Sequence, residues 1–187
     1  MSALSDQEIL AEISSGGITI REFDESCLRP SSYLLRLAPE ILVRSGEPRV
    51  IDTKLTDTCD LYRNVVIEED GYPLRPNVLH LARSVESLSL GPGVCGDLSL
   101  LSCYARVGVM LNLGSNQVAA TFGRDNPSVL AFEIVNLSPD TIIIYPGVKI
   151  CHVRFCRHGS PAAVPYRGIY ASGKKLLPAN FSAKPAG

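Results

Sequence analysis

The chain lacks an excess of charge of either sign. Its 187 residues carry 18 Lys and Arg against 19 Asp and Glu, a net charge of −1. The basic residues are scattered rather than set in a stripe, which excludes the phosphate-neutralising face on which nucleic-acid binding depends. Long apolar runs are missing too. None approaches the roughly 18–20 residues that cross a bilayer, so no membrane contact is expected. Met1-Ser2-Ala3-Leu4-Ser5-Asp6 has neither the charged nor the apolar part of an export signal, and the expected compartment is the cytoplasm. Zinc-deaminase spacing (His-x-Glu with Pro-Cys-x-x-Cys) is absent, as are a phosphate-cradling Gly-rich loop, His-Glu-x-x-His and Gly-x-Ser-x-Gly.

Six cysteines are present: Cys27, Cys59, Cys95, Cys103, Cys151 and Cys156. A chain of this size, with enough apolar residues for a core, needs no disulfides, and without an export signal the thiols are expected to be reduced and mostly buried. Cys151, His152, Cys156 and His158 lie close in sequence. In a strand, however, neighbours face opposite ways, which argues against a shared metal.

What is there reads as one mainly β domain. Ser5-Asp6-Gln7-Glu8 is a capping box opening a short helix with Ile9, Leu10 and Ile13 on its apolar side, stopped at Gly16-Gly17. Apolar runs then recur every 8–12 residues between Gly and Pro turns, the pattern of a barrel or sandwich. Ile41-Leu42-Val43 and Val50-Ile51 are predicted as two short strands about the turn Ser45-Gly46-Glu47-Pro48. One or two short internal helices are expected, one of them around Ala105 and Gly108. His80, alone in a strand-like run, is expected to be structural. The domain is placed at residues 1–170, with 171–187 as a flexible C-terminal tail.

Two runs carry polar groups set among apolar ones. Leu100-Leu101-Ser102-Cys103-Tyr104-Ala105-Arg106-Val107-Gly108-Val109 holds Ser102 and Arg106 four apart, and Glu133 interrupts Leu130-Ala131-Phe132-Glu133-Ile134-Val135-Asn136. Buried without partners, such groups would each cost several kcal/mol, so either they satisfy one another or they line a site.

These runs, in this order, resemble the dCTP deaminase branch of the trimeric dUTPase-like superfamily. Pro30-Ser31-Ser32-Tyr33-Leu34-Leu35-Arg36-Leu37 is similar to the family's Pro-Ser-Ser-Tyr-Asp-x-Arg-Leu. Leu74-Arg75-Pro76 with Leu81-Ala82-Arg83-Ser84-Val85-Glu86 resembles the segment before its central motif. Leu100 to Gly108 matches Gly-Arg-Ser-Ser-x-Ala-Arg-x-Gly, and Glu133-Ile134-Val135-Asn136 matches Glu-x-x-Asn. Tyr145-Pro146-Gly147, Pro165-Tyr166 and Tyr170 also fall in place. The resemblance implies a distorted β-barrel or jelly roll (dUTPase-like), a homotrimer with sites shared between chains, and metal-independent deamination of a cytosine compound. It gives Glu133 the proton relay, Ser102 and the Ala119 carbonyl the attacking water, and Arg106 the fixing of Ser102. Cys103, Arg124, Tyr166, Tyr170 and Lys174 become substrate-binding candidates, with Lys175 a further cation in the tail. No cofactor is implied for deamination. Mg²⁺ would enter only with a polyphosphate substrate.

The chain departs from the family pattern where substrate is held. Leu101 replaces the motif arginine, Cys103 its second serine and Leu34 the aspartate. Gly123-Arg124-Asp125-Asn126-Pro127 stands for an Asp-Pro-Gly element, the loop between Arg106 and Ala119 is longer, and the glutamine after Tyr170 is gone. The relay survives while phosphate- and sugar-holding groups are eroded. The expectation is therefore a hydrolytic deaminase of a cytosine nucleotide or nucleoside that need not be dCTP. Two alternatives stand: a catalytically silent nucleotide-binding trimer, and a dUTPase-like diphosphatase, against which the loss of the aspartate at Leu34 counts.

Overall fold

The computed structural model describes residues 2–170, 173 and 175–183. Its elements in order are β1 (Ser2–Ala3), α1 (Asp6–Ser15), β2 (Ile18–Arg21), β3 (Leu28–Arg29), β4 (Ser32–Arg44), β5 (Tyr62–Val66), β6 (Tyr72–Leu74), β7 (Leu79–Leu90), β8 (Val94–Leu100), α2 (Ser102–Arg106), β9 (Val109–Leu111), β10 (Gln117–Val118), β11 (Ser128–Asn136), β12 (Ile142–Ile144) and β13 (Lys149–Arg157). The architecture is mainly β with two short helices, as the spacing of strands and turns predicts. Ser5 caps α1 as read: its hydroxyl accepts the Glu8 N–H and Glu8 accepts the Ser5 N–H, while Gly16 ends the helix at φ 79°.

The strands run in the order β10-β8-β13-β4-β7-β11-β9, with β1 on β13, β2 on β7, and β3 and β5 on β4; β6 and β12 form a separate ribbon. The sheet curls because β4 serves two neighbours in turn. Tyr33 to Arg36 pair with β13, whereas Leu37 to Val43 pair with β7. A register shift between Leu37 and Ile41 marks the crossing. Pro39 sits there, exposed; with no N–H to give a ladder, it belongs at such an irregularity. The buried faces of both halves close on Tyr33, Phe132, Phe155, Leu35, Leu37, Ile41 and Leu88.

The two short strands predicted after Leu37 are not found. Ile41–Val43 lies inside the 13-residue β4, which Pro39 bends without ending. Val50 and Ile51 belong to no strand and are exposed. That loop is tied down by polar contacts: Arg49 forks onto both Asp60 oxygens at 2.7 Å. The described end of the chain also meets this loop, through Thr58 N–H to the Ala179 carbonyl at 3.0 Å and Phe181 N–H to the Thr56 carbonyl at 2.9 Å.

At the crossing in β4 lies an ion pair between a buried carboxylate and a partly buried guanidinium. Glu86 of β7, fully buried, accepts from Arg36 twice, from Nε at 2.7 Å and from the backbone N–H at 2.9 Å. Arg36 also donates to the Glu22 carbonyl at 2.6 Å. Removing Glu86 takes the carboxylate from the Arg36 N–H and guanidinium. The Arg36 side chain, however, is 23% exposed and keeps Asp24 and the Glu22 carbonyl, so the cost should fall below the roughly 3–5 kcal/mol of breaking a fully buried pair. Glu86→Ala is expected to lower the urea midpoint, a loss measured by equilibrium denaturation. Changing exposed Glu47 in the same way should leave the midpoint within error.

Candidate functional site on the outer face of strand β11

Strand β11 buries alternate residues. Ser128, Leu130, Phe132, Ile134 and Asn136 point into the core; Val129, Ala131, Glu133 and Val135 form the other row. This is the two-residue period of a strand with one face on the core. On β7, Arg83 stands opposite Ala131 and Leu81 opposite Glu133. The Glu133 carboxylate therefore sits mid-strand on the outer face, half-buried. Its Oε2 is shielded from solvent and has no hydrogen-bond partner. Burial pushes its pKa above the ordinary carboxylate value.

The family-pattern Asn136 proves structural. Its amide donates to the carbonyls of Leu74 at 2.9 Å and Asp140 at 2.6 Å, and its oxygen accepts from Ser138 N–H and Oγ at 2.9 and 2.8 Å. A fully satisfied buried amide closes the turn after β11 and fixes the strand that carries Glu133.

Ala119 follows β10 at the start of a tight turn, and its carbonyl accepts the Phe122 N–H at 3.1 Å. Thr121 there has φ 66°, a conformation costly for a β-branched residue. Gly123 follows at φ 63°, and a Cβ on it would collide with the Leu88 carbonyl oxygen. Only glycine fits there, because the turn presses on β7. The turn holds Tyr166: Thr121 Oγ1 accepts the Tyr166 N–H at 2.6 Å, and the Phe122 and Tyr166 rings lie 6.1 Å apart. Tyr170 packs beside it. With Phe122, Val129, Ala131, Lys175 and Leu177 it lines a cavity of about 90 Å³ one step along β11 from Glu133. Arg124 is exposed at the tip of the turn, and Lys174 lies outside the described residues.

Ser102, Cys103 and Arg106 are placed differently from expectation. The apolar run Leu100 to Val109 predicts apolar surroundings for Ser102 and Arg106, yet all three side chains are exposed. The cause is the shape of α2. It is a single turn at the end of β8, and only Leu101 and Tyr104 pack on the core, so the remaining side chains turn outward. Arg106 borders an open cavity with Gly108, Ser138, Asp140 and Ile142. Within one chain, neither Ser102 nor Arg106 pairs with Glu133, whose raised pKa has no contribution from the arginine.

Two residues on the β11 face escaped sequence reasoning. Arg83 is held by Glu40, Nε to Oε2 at 2.7 Å, and that bond draws the Glu40 carboxyl below its ordinary pKa. Asn112 follows β9, and its N–H donates to the Glu133 carbonyl at 2.8 Å. Its buried Oδ1 is unpaired. Arg83 lies in the segment that resembles the family pattern but carries no role there, and Asn112 gives no sequence signal, since its meaning comes only from the strand it faces.

Elsewhere, His80 is buried in β7, with its ring 5.4 Å from and edge-on to Tyr72. His152 shares a 2.9 Å hydrogen bond with Ser32, whereas Cys151 beside it points into the core. Among the described residues, no three His, Cys, Asp or Glu side chains converge as metal ligands. No helix among them is long and apolar enough to cross a membrane.

Comparison with known proteins gives the site its context. The sequence model of a family described as dCTP deaminase-like matches residues 3–158. The chain is 28% identical over 167 residues to the dUMP-forming dCTP deaminase of Persephonella marina, covering 89% of this chain and 90% of that one. It is 30% identical over 171 residues to that of Acidothermus cellulolyticus, covering 90% and 87%. To the dCTP deaminase of Hyperthermus butylicus it is 28% identical over 177 residues, covering 94% and 97%. Its fold superposes on the 2′-deoxycytidine 5′-triphosphate deaminase of Agrobacterium tumefaciens with a TM-score of 0.62 at 19% identity, over 82% of this chain and 47% of that longer one. With the family model spanning most of the chain and the strand bearing Glu133 within it, the protein belongs to the dCTP deaminase-like family.

Proposed function

We propose that this chain is a metal-independent hydrolytic deaminase of a cytosine nucleotide or nucleoside, working as a homotrimer in the cytoplasm. The observation that carries the reading is Glu133: a carboxylate with a buried, unpaired Oε2, raised in pKa, on a strand face beside a small, largely apolar cavity. Desolvation brings its two protonation states closer in energy near neutrality, which is what a group that takes and returns protons requires.

In the reaction, water adds to C4 of the ring as its proton passes to the Glu133 carboxylate. Glu133 delivers that proton to ring N3. The added hydroxyl then gives its proton, through Glu133, to the amino group, the C4–N bond breaks, and ammonia leaves with the C4 carbonyl formed. Glu133 ends as it began. The Ala119 carbonyl, which like any carbonyl has a second lone pair beyond its bond to the Phe122 N–H, holds the water together with a Ser102 hydroxyl. Since Ser102 and Arg106 are exposed on α2, a neighbouring chain supplies them. Three-fold association brings the α2 of one copy to the β11 of the next. Mg²⁺ enters only as the counterion of a polyphosphate substrate.

Leu101 and Leu34 set the substrate. Neither can bind phosphate or its counterion, where an arginine would grip it bidentately. Cys103, Tyr166, Tyr170, Arg124, Lys174 and Lys175 remain to hold sugar and phosphate, which favours a less phosphorylated compound. The same two leucines favour, as second reading, a silent nucleotide-binding trimer.

Ammonia release from cytosine, cytidine, CMP, dCMP, CTP and dCTP separates the readings. Turnover is expected to be fastest with a nucleoside or monophosphate. Efficient use of dCTP with the lower phosphates inert would contradict the substrate reading, and no ammonia from any of the six would leave the silent trimer. Glu133→Gln should cut turnover by about 10²–10⁴-fold, the usual worth of general acid–base catalysis. It should also raise Tm at neutral pH. The raised pKa means that the folded state holds the proton more tightly than the unfolded chain does. The ionised group therefore costs stability as pH rises through the folded pKa, and the difference between variant and wild type should vanish below the ordinary carboxylate value. Sedimentation equilibrium at micromolar concentration should return a trimer, and a stable monomer would remove the shared site.

A further inference from the structure

Glu133 is not alone in holding an unpaired buried polar atom. Among the described residues three buried side chains do so: Glu133 and Asn112 through an oxygen, His80 through its ring Nδ1. His80 is on the core face, stacked edge-on with Tyr72. Asn112 is on the ladder beside Glu133. Strand β9 pairs Val109, Met110 and Leu111 with Asn136, Val135 and Ile134 in turn. The next rung joins Asn112 to Glu133 through the 2.8 Å bond from the Asn112 N–H to the Glu133 carbonyl.

The amide of Asn112 is oriented by its surroundings. Nδ2 donates to the Ser115 carbonyl at 3.4 Å, and the reverse assignment would set two oxygens against each other there. Oδ1 is therefore the free end. The side chain is only 2% exposed, so water does not freely satisfy it. The backbone also bends to hold it: Asn112 and Leu113 have φ 65° and 33°, and Gly114 follows at 102°. Leu113 in particular is strained, and strain of this kind persists only where the surrounding structure imposes it. Two buried acceptors at adjoining positions, each costly if left bare, call for a group that carries two hydrogens.

We propose that Asn112 is a specificity-determining residue of the site, its Oδ1 accepting one N–H of the substrate's exocyclic amino group while Glu133 faces the other. This rests on the deaminase reading and adds to it the means of telling substrate from product. An amino group satisfies both acceptors. The carbonyl that replaces it at C4 satisfies neither and sets its own oxygen against Asn112 Oδ1. A site built around a hydrogen-bonded group rejects the analogue that lacks it much more strongly than an apolar pocket does. The uracil product is thus expelled, and uracil compounds of the same phosphorylation state compete poorly.

The test compares KM for the best cytosine substrate with Ki for its uracil counterpart, in wild type, Asn112→Gly and Asn112→Asp. Glycine keeps the left-handed backbone and removes the amide. Aspartate keeps the acceptor and tolerates the same φ. Wild type is expected to show Ki well above KM. In Asn112→Gly the ratio Ki/KM should fall by about tenfold or more, on the order expected for one lost discriminating hydrogen bond. Asn112→Asp should keep most of the ratio. A purely structural role would lower Tm and kcat with the ratio unchanged in both variants, and that result overturns the proposal. Ammonia release with an unchanged ratio removes this inference alone. No ammonia from any cytosine compound removes the deaminase reading and this inference with it.

Discussion

The structure turns on the pair Arg36–Glu86. Strand β4 must leave β13 and join β7 within a single residue step, Arg36 being the last paired with the one and Leu37 the first paired with the other. A strand bent at that point exposes backbone donors to the core. Glu86 takes one of them, the Arg36 N–H, and holds the guanidinium with its other oxygen. The pair is costly to desolvate and gives little net stability against an apolar replacement of the same shape. What it fixes is geometry. With β4 and β7 locked, β11 takes its register from β7, and Glu133 lands opposite Leu81 on the outer face.

That register sets the state of the Glu133 carboxylate. A carboxylate one residue to either side would lie in the core and need a fixed partner, as Glu86 does. On the outer row its Oε2 is shielded from water and left without a partner, and its proton affinity rises. The surrounding turns carry the corresponding strain. Leu113, in left-handed backbone, follows Asn112, whose N–H bonds the Glu133 carbonyl, and Thr121 is likewise left-handed in the turn that holds Tyr166. Strain of this kind beside a buried, unpaired carboxylate oxygen is consistent with a place shaped for a ligand rather than for stability alone.

Much of this was legible in the sequence. The capping box of α1, the strand spacing and the Gly-Pro turns were carried by local chemistry, and Glu133 stood out because a charge interrupts an apolar run. What was not legible depends on distant residues. Ile41-Leu42-Val43 reads as a separate short strand, but it continues β4 through the irregularity at Pro39, where Glu86, 50 positions away from Arg36, holds the strand on course. Ser102 and Arg106 read as buried because Leu100, Leu101 and Val109 surround them in sequence, whereas the helical turn separates the two kinds of side chain in space. Asn112 and Arg83 gain meaning only from the strand each one faces, and pairing of strands is not written in either segment by itself.

The central claim is that Glu133 is a carboxyl group raised by burial and free to move protons. Its own titration tests that most directly, followed by ¹³C NMR of the side-chain carboxyl with Glu133→Gln identifying the resonance. The account predicts a midpoint above the ordinary glutamate value of 4.5, the direction set by its desolvation. A midpoint at or below that value would mean a solvated or paired carboxylate, and would contradict the account.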